Sequence, residues 1–300
     1  MGRFATRGPA RAGWLIGVAG LVLVTGLAVY VFWGLPAADV AAASLDTPSV
    51  RITDRYGALI YDILPSEGGR HAVVPLGSIP QCMKDATIAV EDKTFYQNPG
   101  VDASGILRAL WLNLRGGRTV AGGSTITQQV ARNLLLSAEE RTEVSIRRKL
   151  REAALAWQLT RELSKDDILA LYLNQVNYGG MAYGVEAAAQ TYFGKPAREL
   201  ILPECALLAG LPQAPGLYDP FTHADLAKQR QRIVLGLMET QGRISHEQRL
   251  AAESAPLSYN PKPYPIEAPH FVWIVKDELD ALISAGKLER GHSLVVRTTL

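Results

Sequence analysis

The sequence predicts a mainly α-helical protein carried on one N-terminal membrane-spanning helix, with small β elements at the domain edges. Three observations carry that expectation. Apolar residues recur at helical spacing between Gly and Pro stops over residues 80–240. Strand patterns are confined to the flanks, near residues 50–62 and 294–300. Residues 14–33 contain no charge, and a run of about twenty apolar residues is long enough to cross the hydrocarbon core of a bilayer.

Taken in order, Arg3, Arg7 and Arg11 precede the uncharged run, while Leu35, Pro36 and Asp39 follow it. Positive charge stays inside, so 1–13 reads as a cytoplasmic tail, 14–33 as the span, and the remainder as lying outside the cytoplasmic (inner) membrane, in the periplasm. Trp14, Tyr30, Phe32 and Trp33 sit at the two ends of the run, where amphipathic rings prefer the interface. Small residues at Ala41, Ala42 and Ala43 suit a cleaved signal peptide, but the apolar core of such a peptide usually runs only about 7 to 15 residues. An Ala-rich linker, 34–49, leads to a hairpin in which Val50, Ile52, Leu59 and Ile60 flank a turn at Asp54, Arg55, Tyr56 and Gly57. Ile106, Leu107, Leu110, Trp111 and Leu114 make one helical stripe, stopped by Gly116 and Gly117. Further helices are predicted at 125–136, 139–162, 166–173, 184–193, 203–209 and 225–240. Residues 50–245 form the expected helical domain, and 246–300 a linker region with a proline-rich start, a helix at 270–282 and a β-rich end.

The 300 residues are 48% apolar and 20% charged, the balance of a folded globular chain. Net charge is only +2, from 31 basic and 29 acidic residues, so nothing argues for a nucleic-acid partner. Cys82 and Cys205 stand in apolar helical contexts without CxxC spacing and read as small core residues, with a disulfide as the alternative. Walker loops, HExxH and GxSxG are absent. Ser284 and Lys287 fit SxxK, but no KTG follows, and the match reads as coincidence.

Three clusters carry chemistry. Glu91 and Asp92 follow the apolar Ile88, Ala89 and Val90 at an expected helix C-terminus, where the dipole disfavours carboxylates. Gly122, Gly123, Ser124, Thr125, Gln128 and Gln129 lie where a loop enters a helix. Free N–H groups and the positive dipole end there suit a pyrophosphate, and Thr125 with Gln128 equally suits a capping box. Arg147, Arg148, Lys149, Arg151 and Glu152 share a long helix, with Arg148 and Glu152 four apart on one face. That set reads either as a surface ion pair or as an acid among cations that neutralise a diphosphate leaving group.

With those residues in view, the chain resembles the glycosyltransferase domain of class A penicillin-binding proteins and monofunctional peptidoglycan glycosyltransferases. The likeness runs from about Val50 to Met238 through EDKTFYQNPGVD, GGSTITQQVARN, RKLREAALAWQLTRELSKDDILALYLN, NYGGMAYGVEAAAQTYFGK and LLAGLPQAPGLYDP. The resemblance implies a lysozyme-like, two-lobed helical fold whose cleft opens at the membrane surface. It implies that lipid II adds to a growing lipid-linked glycan strand, with inversion to a β-1,4 bond and release of undecaprenyl diphosphate. By position, Glu91 matches the general base and Glu152 the second essential carboxylate, acting on the donor side with a divalent cation (Mg2+ or Mn2+). Ser124, Thr125, Gln128, Gln129, Arg132, Arg148 and Lys149 match donor phosphate and sugar positions, and Asp92, Phe95, Gly123 and Asn174 match residues that shape the cleft. Moenomycin, which mimics the donor, is expected to bind there.

Asn98 stands where a histidine is common, Arg132 where lysine is, Thr160 where an acid is, and Met181 where a second glycine is. Arg132 keeps the charge, while Asn98 and Thr160 put supporting hydrogen bonds in doubt. Trp111, Leu112 and Leu114 are expected at the membrane face of the cleft, in contact with lipid. The competing functions are a lysozyme-like glycan-cleaving enzyme and a catalytically silent scaffold binding lipid II or cell-wall synthesis partners. Residues 295–300 resemble the strand that leads into a transpeptidase domain in bifunctional relatives.

Overall fold

The structure, a computed structural model, describes residues 9–36, 50–57, 59–63, 70–71, 73–102, 105, 123–180, 182–259, 269–288 and 294–300. Gly122, Met181 and the expected stripe with Trp111, Leu112 and Leu114 lie outside the described residues.

The described chain is mainly helical, as the apolar periodicity predicted. Helix α1 (Pro9–Phe32) ends at Gly34, whose φ of 66° is left-handed and stops the helix. Among the described residues, no helix is long and apolar enough to cross a membrane. The main helical part begins with α2 (Gln81–Glu91), which Asp92 terminates, followed by α3 (Ile126–Leu135). The single helix expected over 139–162 is two, α4 (Ala138–Thr142) and α5 (Ile146–Glu162). The reason is local: the Ser145 hydroxyl accepts the Arg148 backbone N–H at 3.1 Å, so a fresh N-cap opens α5 after the extended Glu143 that ends α4. Next come α6 (Lys165–Gln175), α7 (Val185–Phe193), α8 (Leu202–Gly210) and α9 (Ala224–Thr240), each within two residues of its predicted start. Helix α10 (His246–Ser254), capped by Ser245, was not expected. Its Ala252 enters the main core. The last helix is α11 (Pro269–Ser284).

Strands β1 (Val50–Thr53) and β2 (Leu59–Ile63) form the predicted antiparallel hairpin. Two-residue strands β3 (Arg70–His71) and β4 (Ala182–Tyr183) pair in parallel. Strand β5 (Leu294–Arg297) pairs in parallel with β1, giving the order β2-β1-β5.

The main core runs from Ile79 to Ala252 and is built from α2, α3 and α5 to α9. A separate small core joins Ile52, Ile60 and Val272, with Val275 and Val296 packed on it. The reading of the two cysteines as unpaired core residues is corrected: Cys82 of α2 and Cys205 of α8 form a disulfide. They stand 123 residues apart in the chain, so helical context and the lack of CxxC spacing could not reveal that the two helices meet.

Candidate active site

Glu91 is the last residue of α2, and its carboxylate Oε2 accepts the Gln129 side-chain N–H at 2.7 Å. Burial raises the Glu91 pKa, while the Gln129 hydrogen bond and the charges of Arg230 and Arg132 pull it down. Tyr172 and Tyr178 stand beside it. Both phenols are fully buried and shifted upward, first by burial and then by the Glu91 charge, and neither hydroxyl has a hydrogen-bond partner among the described residues.

Asp92 is buried and structural. Its Oδ1 and Oδ2 accept the Asn98 amide at 2.9 and 3.0 Å, and Oδ2 accepts the Ile126 backbone N–H at 3.3 Å. Burial raises its pKa and the Asn98 hydrogen bond opposes that rise. The carboxylate thus sits on the positive end of α3 and ties the end of α2 to it. Asn98 makes supporting bonds of its own, since its Oδ1 accepts the Gly100 N–H at 3.0 Å and the Lys165 ammonium at 3.3 Å. Phe95 is buried beneath that ammonium, 4.7 Å from ring centroid to nitrogen. Thr160 donates to Ala156 O on its own helix at 2.9 Å and faces Gly100, where an added Cβ would lie 2.4 Å from Ala156 O and 2.7 Å from Thr160 Oγ1. Gly100 has φ 94°, so this close crossing requires glycine.

At the second cluster both roles meet, and the side chains divide between them. Thr125 accepts from the Gln128 N–H at 3.1 Å, Gln128 Oε1 accepts from the Thr125 N–H at 2.9 Å, and Thr125 Oγ1 donates to Gly100 O at 2.6 Å. Both residues are buried. Thr125 and Gln128 therefore make the capping box, with Thr125 Oγ1 and Gln128 Oε1 both engaged within the fold. Gly123, Ser124 and Gln129 remain at the rim. Arg132, one turn beyond Gln129, acts on Glu91 and Tyr172.

The third cluster splits into two rows. Glu152, buried, takes Arg148 Nε at 3.3 Å on Oε1 and Lys149 Nζ at 2.7 Å on Oε2. Lys149 Nζ also donates to Ser124 Oγ at 2.8 Å. Glu91 and Glu152 thus both abut the N-terminal turn of α3, one through Gln129 and the other through Lys149 and Ser124. Arg147 and Arg151 point elsewhere, to backbone carbonyls of Tyr30 and of Val31, Trp33 and Gly34. Asn174, buried, donates to Val74 O and Ala170 O and accepts the Val74 N–H, which fixes the chain before α2 onto α6.

Among the described residues, no three His, Cys, Asp or Glu side chains come together to hold an ion. Both Glu152 oxygens face cations, so the residues present do not fit a divalent cation bound at Glu152. The geometry instead offers a part-buried proton acceptor at Glu91 and, across the α3 turn, a pair of cations, Arg148 and Lys149, held by a carboxylate.

A family model described as Transglycosylase matches residues 57–239. The chain belongs to the transglycosylase family. Curated relatives include penicillin-binding protein 1A of Aquifex aeolicus (strain VF5), 41% identical over 81% of this chain and 33% of that protein. Penicillin-binding protein 1A of Neisseria cinerea is 45% identical over 63% of this chain and 23% of its own length. Penicillin-binding protein 1F of Bacillus subtilis (strain 168) is 40% identical over 63% of this chain and 26% of its own. The chain therefore spans about a third or less of the curated relatives it matches. A solved penicillin-binding protein 1A from Haemophilus influenzae overlays 85% of this chain and 27% of that one at 25% identity and a TM-score of 0.45. The transglycosylase motifs read from the sequence all fall within residues 57–239.

Sequence reasoning missed three residues around Glu91. Tyr172 and Tyr178 lie inside two of the motifs, where nothing in their spacing set them apart. Arg230 lies beyond all five motifs. Its signal was a cation three residues after Ala227 and four before Val234, on the buried face of α9; it donates to Gly210 O at 3.2 Å.

Proposed function

We propose that the chain is the peptidoglycan glycosyltransferase unit of a class A penicillin-binding protein, joining lipid II to a lipid-linked glycan strand. The observation that carries this is the placing of a part-buried, hydrogen-bonded Glu91 and of the Glu152-held cations of α5 at the start of α3, through Gln129 on one side and through Lys149 and Ser124 on the other. In this reading Glu91 takes the proton from the acceptor sugar hydroxyl as that oxygen attacks the anomeric carbon of the donor. Burial makes Glu91 a stronger base than an exposed carboxylate. The C–O bond to the donor diphosphate breaks on the opposite face, which inverts the centre, and Arg148 and Lys149 neutralise the departing anion while Glu152 holds both in place. Glycines at the loop before α3 let phosphate oxygens approach backbone N–H groups. The expected Mg2+ or Mn2+ enters, on this proposal, with the substrate diphosphate rather than on Glu152.

The finer expectations stand on the same footing. Residues 14–33 are proposed to anchor the protein in the cytoplasmic membrane with the helical unit outside, supported by the uncharged run and the flanking arginines. A lysozyme-like cleft between two lobes, and moenomycin as its ligand, follow from the family motifs. The test is polymerisation of lipid II by the full chain in detergent with Mg2+, beside Glu91→Gln. Glycan strands from the wild type only are expected. Release of fragments from finished peptidoglycan, without use of lipid II, would instead favour a hydrolase.

A further inference from the structure

The N-terminal helix has no basic residue in its last turn, so the negative end of its dipole and its last carbonyls need partners from elsewhere. Helix α5 supplies them. Arg151 Nη1 donates to Val31 O at 3.2 Å and Trp33 O at 2.9 Å, and Nη2 donates to Gly34 O at 3.2 Å. Arg147 Nε donates to Tyr30 O at 3.3 Å, with its guanidinium 4.8 Å from the Tyr30 ring centroid. Arg151 is only 4% exposed, and its Nε pairs with Glu140 of α4 at 3.3 Å. A buried guanidinium with three carbonyls and one carboxylate is a specific joint, since its planar fork fixes direction as well as distance.

Apolar side chains of the two helices also face one another. An apolar cavity of about 700 Å³ lies between them, lined by residues such as Leu27, Val31 and Phe32 from α1 and Leu150, Ala153 and Trp157 from α5. Val31 is itself buried and Leu35 packs against the main core, so the polar joint adds a fixed direction to an apolar contact at the end of α1. The two rows of α5 are adjacent: Arg147 and Arg151 hold α1, while Arg148 and Glu152, one residue further on, belong to the site. Helix α4 braces both, through Glu140 on Arg151 and through Arg141 O, which accepts from Arg148 Nη1 at 2.8 Å.

We propose that Arg151 is a positioning residue for the transfer reaction, locking the end of α1 to the helix that presents Glu152 and so setting how the site meets a substrate carried on a lipid. This rests on the lipid-linked substrate proposed above. A rigid joint between an anchor and the site removes a search that each substrate would otherwise impose, so its loss acts on capture more than on chemistry.

The test uses the full chain in lipid vesicles with lipid II, comparing wild type, Arg151→Met and Arg151→Lys. For Arg151→Met, deuterium uptake over residues 28–36 is expected to rise, with KM for lipid II raised about 10-fold and kcat within about twofold. Lysine keeps the charge but offers one ammonium to three carbonyls, so Arg151→Lys should move both readouts the same way by a smaller factor. It carries the comparison alone should the methionine variant not fold. Unchanged uptake over 28–36, or raised uptake with unchanged KM, overturns the positioning role. So does a fall in kcat at constant KM, which a purely structural lesion of the Glu152 helix would give. A wild type inert on lipid II would sink the polymerase reading itself, and is recognised before any variant is made.

Discussion

Glu91 is held in a place that suits reaction better than stability. Burial raises its pKa above the ordinary 4.5. Between that value and the raised one, the folded state binds more protons than the unfolded chain, so stability falls as pH rises through this window. At neutral pH the ionised carboxylate therefore costs stability, and Glu91→Gln, which keeps an acceptor for Gln129, should melt at a higher temperature than wild type. Turnover should fall by about 10² to 10⁴ in the same protein. Calorimetry at pH 7 and a lipid II assay check the two halves, and lower stability together with lost turnover would count against a strained base. In wild type, the acidic limb of kcat/KM should accordingly lie above 4.5. Glu152 instead contributes to stability, through its two ion pairs. Its Glu152→Gln variant leaves Arg148 and Lys149 facing each other, and the expected loss is on the order of 2 to 3 kcal/mol, below that of fully buried pairs because Lys149 reaches solvent. Urea titration would measure it. Both acids were legible in the sequence because each sits in a motif at an unfavourable or crowded place, whereas Arg230 was not, because only folding brings α9 against the end of α2.

At the scale of elements, the start of α3 is where the site is assembled. Its cap, the Asp92 contact to Ile126 N–H and the Thr125 bond to Gly100 O all converge on one turn. Thr125→Ala removes a cap worth about 1 kcal/mol and leaves the Gly100 carbonyl without that donor, so a total loss of about 2 kcal/mol is expected by denaturant titration. The capping box of Thr125 and Gln128 was readable from the sequence since its chemistry is local, whereas the caps at Ser145 and Ser245 were passed over, because a lone serine before a charged stretch carries no apolar periodicity to mark it. The β3 and β4 pair, two residues each, was not readable, because strands that short show no alternation. The disulfide between α2 and α8 was open for the same reason as Arg230: its loop closes over 123 residues, and nothing local marks it.

At the scale of the whole molecule, the described chain has two cores, and they divide the labour. The main core carries every residue assigned to the site, while the small core joins β1, β2, α11 and β5. Its sheet is closed by contacts from the last residues back to the hairpin, including Thr298 N–H to Thr53 O at 2.9 Å and Arg55 N–H to Leu300 O at 2.9 Å. Arg55 also bonds Thr299 O. The hairpin and the β-rich end were both predicted, but their pairing was not, since parallel register between strands so far apart in sequence leaves no local trace. A core of so few side chains is marginal alone, and it should open before the main core does. Val296→Asp puts a charge against Ile52 and Val272, and is expected to cost the small core about 2 kcal/mol or more. Deuterium uptake should then rise over 50–63 and 294–300 while 81–91 and 126–162 stay protected, with turnover of lipid II within about twofold of wild type. If protection of α2 and α5 were lost as well, the two cores would be one cooperative unit, and the site would depend on a sheet built on a separate core.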